Sequence, residues 1–120
     1  MARGSTFRGE VWLVNLDPTV SAEIKKTRPA VIVNDDAIGI LPLRVVVPVT
    51  EWKDRYAAAS WIVRVEPDAE NGLKNVSAAD AFQVRSVSQA RLVQQLEKLS
   101  DTVMEKITAA LAFVLDIGTE

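Results

Sequence analysis

The chain contains no cysteine and no histidine. Their absence removes thiol nucleophiles, imidazole general bases, zinc-finger spacings and most transition-metal sites together. Any chemistry must therefore run on Arg, Lys, Asp, Glu, Ser, Thr or Tyr. Glycine is scarce, with five residues among 120, and the five are scattered. Neither a GxxxxGK(S/T) nor a GxGxxG phosphate loop can be built from them. Long apolar runs are missing as well. The longest near-apolar stretch, Ile107 to Leu115, is too short to span a bilayer, and the opening MARGSTFRGE lacks the apolar core of a signal peptide. The expectation is a cytoplasmic protein without a membrane segment, and the lack of cysteine is consistent with that compartment. Repeats, low-complexity tracts and linkers are absent, which points to a single domain over residues 1–120.

A charge excess is also lacking. Fourteen basic residues face 16 acidic ones, for a net charge of -2, so bulk electrostatics would not draw the chain to nucleic acid or an anionic membrane. A polyanion would need a local patch. Residues 1–64 hold nine Lys or Arg against seven Asp or Glu, and residues 65–120 hold five against nine. The first half is the place to look for an anion site.

What is present is a series of short β-type runs. Val11 to Leu16 reads as a strand ended by Asp17-Pro18. A charged segment, Thr19 to Thr27, leads through Arg28-Pro29 into a second strand, Ala30 to Val33. Arg44 to Thr50 is the third, and its Pro48 suggests an edge or a bulge. After a loop from Trp52 to Ala59, the fourth runs from Ser60 to Glu66 with Trp61, Val63 and Val65 on one face; Ala81 to Val87 is the fifth. Val103, Ile107, Leu111, Val114 and Leu115 form a helical stripe over Asp101 to Asp116, with Ser100 as N-cap and Gly118 after its end. Arg91 to Leu99 fits either helical spacing or an extended segment. The whole reads as mostly β with helices (α+β): a curved sheet or small barrel closed by a C-terminal helix.

Asp35-Asp36 reads as turn chemistry. What remains is a dense polar loop, Ser21-Ala22-Glu23-Ile24-Lys25-Lys26-Thr27-Arg28, entering a buried strand, and a strand that ends in Thr50. An Arg at the mouth of a strand offers five donors in a rigid fork suited to phosphate, and a Thr hydroxyl can donate to the same oxygen. The same residues would serve as a solvated loop, and composition alone favours that reading.

Taken in order, Arg8-Gly9-Glu10-Val11-Trp12-Leu13-Val14-Asn15-Leu16-Asp17-Pro18, the loop to Arg28, and Pro29-Ala30-Val31-Ile32-Val33-Asn34 resemble the MazF/PemK family of toxin endoribonucleases. Val45-Val46-Val47-Pro48-Val49-Thr50 and Gln83-Val84-Arg85-Ser86-Val87 with Arg91-Leu92 extend the resemblance over about residues 7–117. Between Glu23 and Arg28, this chain has Ile24-Lys25-Lys26-Thr27 where many members carry a more glycine-containing stretch.

The resemblance implies an SH3-like small β-barrel with a C-terminal helix, paired as a homodimer, acting as the toxin of a type II toxin–antitoxin system. It implies metal-independent, cofactor-free cleavage of single-stranded RNA to a 2′,3′-cyclic phosphate and a 5′-hydroxyl, inhibition of translation and growth, and a cognate MazE-like antitoxin. It also favours an extended Val93 to Leu99. Carried over by position, the catalytic Arg falls on Arg28, the Thr on Thr50 and the loop Glu on Glu23. Using Arg28 as a base would cost roughly 7 kcal/mol, given a guanidinium pKa of about 12.5, so it suits charge stabilisation or proton donation. Glu23 could accept the 2′-hydroxyl proton or act by positioning. Lys25, Lys26 and Thr27 are expected to bind RNA, the lysines on phosphates. Trp52 could stack on a base or pack at a rim, while Gln83 and Arg85 could face the groove or pair across the sheet. Trp12 and Trp61 read as core, and the helix stripe as core and dimer packing. Two other readings stay open: a toxin of the same fold that binds a protein target such as DNA gyrase, and an inactive antitoxin-binding relative. Arg28 together with Thr50 favours the nuclease.

Overall fold

The structure, a computed structural model described over residues 6–118, consists of strands β1 (Glu10–Asn15), β2 (Thr27–Ile32), β3 (Leu43–Glu51), β4 (Ile62–Val65), β5 (Ser77–Asp80), β6 (Arg85–Ser88) and β7 (Leu92–Lys98), followed by helix α1 (Asp101–Leu115). All strand pairs are antiparallel, in the order β4-β5-β3-β2-β1-β7, with β6 also pairing with β3. The mostly-β expectation with a terminal helix holds. The hydrogen-bonded path is open, however, with β4 and β7 at its ends. Side chains bridge the two ends: Val65, Leu99 and the partly buried Leu96 share one core cluster.

The runs Ala30-Val31-Ile32-Val33 and Val45-Val46-Val47 lack polar alternation because the sheet is buried on both faces. Val31, Val33, Val47 and Val49 face the larger cluster, which α1 covers. Ala30, Ile32 and Val46 face the other way, with Val14, Leu16, Val87 and Leu92. In β1 the same alternation sends Val11 to the first cluster and Trp12 and Val14 to the second. Trp12 and Trp61 are half-buried.

Pro48 lies in the central strand, not at an edge. β3 pairs with β6 through Leu43–Val46 and with β5 through Val49–Glu51, so Val47 and Pro48 fall between the two outer partners. A residue without an N–H is tolerated where the outer ladder is already interrupted. The predicted fifth strand is divided. Ala81–Gln83 forms a 3₁₀ turn, capped by the Asp80 carboxylate accepting from the Phe82 N–H, and the strand resumes as β6. β5 is built of Ser77, Ala78, Ala79 and Asp80, small residues that leave no strand pattern in the sequence; its place between β3 and β4 makes it a strand. Residues 92–98 are extended along β1.

Helix α1 is capped by the Ser100 hydroxyl, which accepts from the Val103 N–H at 3.2 Å. Its deepest residues are Met104, Ile107 and Ala110, with Val103, Leu111 and Val114 packed at the margin. Leu115 is exposed. The buried stripe is thus rotated from the predicted one, toward the small Ala110. The left-handed residue that ends the helix is Asp116, ahead of Gly118. No helix among the described residues is long and apolar enough to cross a membrane.

Arg44, 1% exposed, anchors the connection between β2 and β3. Its Nε donates to Thr6 Oγ1 at 2.6 Å and its Nη1 to the Leu41 and Leu43 carbonyls at 2.8 and 2.7 Å. Among the described residues no carboxylate pairs with it; the charge is spread over neutral oxygens. Arg44→Ala is expected to lower unfolding stability by about 2–4 kcal/mol, since buried acceptors lose a charged donor and a void opens. A chemical denaturation midpoint within error of wild type would overturn this account.

Candidate active site

The site begins with the register of β2 and β3. Ala30 is opposite Pro48, and Val31 is opposite Val47. Two residues back along β2 and two forward along β3 lead to Arg28 and Thr50, which therefore leave the ladder side by side on one face. They line a shared cleft of about 400 Å³ with Ile24, Lys53, Tyr56 and Asp80. On their other side they line a second, more apolar cavity of about 380 Å³ with Leu13, Leu73, Lys74 and Leu96. Arg28 is exposed and Thr50 half-buried, so a guanidinium and a hydroxyl stand on the ridge between two cavities. A phosphodiester placed on that ridge has room for a nucleotide on either side.

The loop from β1 to β2 forms one wall. Its base is closed by the Leu16 N–H donating to the Lys26 carbonyl at 3.0 Å, and Lys26 itself takes a left-handed backbone, φ 71°. Arg28 Nε donates to the Lys25 carbonyl at 3.2 Å, and the residue lines both cavities. Inside the loop, the Glu23 carboxylate accepts from the Val20 N–H at 2.8 Å.

Several predicted site residues therefore come together and others do not. Arg28 and Thr50 converge. Glu23 lines a neighbouring cavity of about 680 Å³ with Pro18, Phe82 and Arg85, and its carboxylate is used within its own loop. Lys25, Lys26 and Thr27 are exposed beside Arg28. Gln83 lines the cleft, but both ends of its amide are bound to the loop: Oε1 accepts from the Ile24 N–H at 3.0 Å and Nε2 donates to the Ala22 carbonyl at 3.1 Å. Arg85 donates to the Leu16 carbonyl at 3.0 Å. The half-buried Trp52 is held edge-on to Tyr56, with centroids 5.8 Å apart, and under the Arg64 guanidinium at 5.2 Å; its Nε1 has no hydrogen-bond partner among the described residues. Tyr56, behind which it packs, is the aromatic residue lining the cleft.

Sequence reasoning missed Glu51, Lys53, Tyr56 and Asp80. Glu51 follows directly on Thr50 and was the easiest of these to find. Asp80 is separated from Arg28 by half the chain, and only the pairing of β5 with β3 brings it near. Burial pushes the Asp80 carboxyl above its ordinary value of 3.8, against hydrogen bonds from the Phe82 and Gln83 backbone that pull it down. Among the described residues, no three His, Cys, Asp or Glu side chains converge as metal ligands.

Residues 7–115 match the PemK-like, MazF-like toxins of type II toxin–antitoxin systems. Among curated proteins, the chain is 34% identical over 110 residues to Endoribonuclease PemK of Escherichia coli, covering 90% of this chain and 80% of that protein. It is 32% identical over 122 residues to Endoribonuclease MazF9 of Mycobacterium tuberculosis, covering 92% and 96%. Among solved structures, a mycobacterial endoribonuclease in complex with its cognate antitoxin superposes with a TM-score of 0.78 at 20% identity, over 97% of this chain and 100% of that one.

The shift at Asp80 has a stability signature. Because burial raises its folded pKa, the native state binds the proton more tightly than the unfolded chain. The associated stabilisation is complete below the unfolded value and is lost as pH rises through the folded one. Asp80→Asn retains an acceptor for the Phe82 N–H and removes the charge, so it is expected to raise the melting temperature more at pH 7 than at about pH 3. Equal shifts at the two pH values would show that the carboxyl is not penalised by burial.

Proposed function

Because the chain belongs to the PemK-like, MazF-like toxins of type II toxin–antitoxin systems, we propose that it is an endoribonuclease that cuts single-stranded RNA at the ridge formed by Arg28 and Thr50. The observation that carries this reading is the convergence of these two side chains, one cationic and one hydroxylic, between two nucleotide-sized cavities. The 2′-hydroxyl next to the scissile phosphate attacks phosphorus, and the bond to the 5′-oxygen breaks. The products are a 2′,3′-cyclic phosphate and a 5′-hydroxyl.

Arg28 stays protonated and, with the Thr50 hydroxyl, hydrogen-bonds the non-bridging oxygens as negative charge builds on them. Asp80 accepts the 2′-hydroxyl proton; its place in the same cleft and its raised pKa both suit a general base. The departing 5′-oxygen takes a proton from solvent in the open cleft. Glu23 acts by positioning, as its bond to the Val20 N–H suggests. Lys25, Lys26 and Lys53 attract the phosphates on either side, giving a local cationic rim on a chain of net charge -2, and the Thr27 hydroxyl hydrogen-bonds the RNA beside them. In the cell, the protein works in the cytoplasm as a homodimer, arrests growth by cutting messages, and is neutralised by a cognate antitoxin. The antitoxin complex of the mycobacterial relative supports the last point.

Incubating the purified protein with mixed RNA and with matched DNA in excess EDTA is expected to give RNA fragments with 5′-hydroxyl ends and intact DNA. A single 2′-deoxy substitution at the cut site should block cleavage there. Arg28→Ala and Thr50→Ala should each slow cutting by about 100-fold or more with unchanged unfolding midpoints. Normal cutting by both variants would place the site elsewhere. Intact RNA together with inhibited DNA gyrase would favour the protein-target toxin.

A further inference from the structure

We propose that Gln83 is the positioning residue of this site: it latches the loop between β1 and β2 onto the sheet and, through that loop, orients Arg28. The inference rests on the reading of Arg28 as the phosphate-binding cation.

Gln83 ends the 3₁₀ turn Ala81–Gln83, which emerges between β5 and β6 beside Pro48, and its amide reaches a segment about 60 residues earlier in the chain. It meets the loop in both senses, accepting from the Ile24 N–H at 3.0 Å and donating to the Ala22 carbonyl at 3.1 Å. An amide supplies an acceptor and a donor in one plane at neutral pH. A carboxylate would accept from Ile24 and repel the Ala22 carbonyl, and a thioether would do neither.

Further long-range bonds hold the first end of the loop and the strand end before it: Arg85 on the Leu16 carbonyl, and Arg91 on those of Asn15 and Asp17. Gln83 holds the second half, where Ile24 also packs against the smaller core cluster. From Ile24 the path to the site is short. The next carbonyl, that of Lys25, accepts from Arg28 Nε at 3.2 Å, and the left-handed turn at Lys26 stands between them. If Ala22 and Ile24 drift, the Lys25 carbonyl drifts with them, and the guanidinium loses the acceptor that aims it. A misplacement of about 1 Å at a phosphate-binding group can cost on the order of 100-fold in rate.

The test compares Gln83→Met and Gln83→Glu with wild type by timed trypsin digestion, unfolding midpoint, and the kcat and KM for an RNA oligonucleotide. Trypsin reads the loop directly at Lys25 and Lys26, because the Arg28–Pro29 bond resists it. Gln83→Met should be nicked there about tenfold faster, the loss expected from two hydrogen bonds to an exposed loop. Its kcat should fall about 10- to 100-fold while KM stays within about threefold. Gln83→Glu, which keeps the bond from Ile24, should lie between Met and wild type in both readouts; it carries the test alone if Gln83→Met does not fold. An unchanged nicking rate overturns the latch. Faster nicking with unchanged kcat overturns the link to Arg28, and a rise confined to KM identifies Gln83 as a direct RNA contact instead. Should the wild-type protein leave RNA intact, the functional reading fails while the nicking rates still decide whether the loop is latched.

Discussion

The antiparallel pairing of β2 with β3 is the constraint on which the rest of the molecule depends. Both strands are covered on two faces, so their register cannot slip by one residue without turning Val31, Val47 and Val49 out of one cluster and Ala30, Ile32 and Val46 out of the other. Every other strand is hung on this pair, directly or through β1 and β5. The same register sets where the pair ends. Arg28 and Thr50 leave the buried ladder together, so two residues 22 positions apart in the chain meet without any contact of their own being required. The site inherits its accuracy from packing in the interior.

The polar features around that ridge divide into a rigid part and an adjustable part. Thr50, Asp80 and Tyr56 come from the sheet or from turns tied directly to it. Arg28 has its backbone in β2, opposite Val14, but its guanidinium rests on the Lys25 carbonyl of the preceding loop, which is held by side chains reaching back from β6 and its neighbours. The strand fixes where Arg28 stands, and those ties fix where its guanidinium points.

Much of the fold was legible because burial writes a strong signal. The uninterrupted Val and Ile runs mark strands covered on both sides, and the four-residue spacing of apolar side chains marks α1. β5 was not legible, because Ser77, Ala78 and Ala79 carry neither bulk nor β-branching and become a strand only by lying between two others. The alternation of Ala81 to Val87 misled for the opposite reason: the pattern is present, but a carboxylate cap at Asp80 bends the first three residues into a turn. At the site, Arg28 and Thr50 could be found from the motifs around them. Tyr56 and Asp80 could not, since no local pattern marks a residue whose importance comes from a partner on another strand. Trp52 drew attention as the aromatic nearest Thr50, yet its ring is turned onto Arg64 and Tyr56.

The break in the outer ladder opposite Val47 and Pro48 carries a further consequence for how such a protein can diversify. Because β5 and β6 dock on separate lengths of β3, the short turn joining them bears none of the sheet's hydrogen bonds to β3. Within that turn Ala81 is buried in the larger cluster and its N–H donates to the Trp61 carbonyl, whereas Phe82 is exposed and can change without shifting either docking register. The turn supplies Gln83 to the loop wall and abuts Asp80, so it shapes the cleft beside the ridge. An interruption tolerated for the sake of one proline thus becomes a position at which the wall of the cleft can be reshaped through its exposed residue.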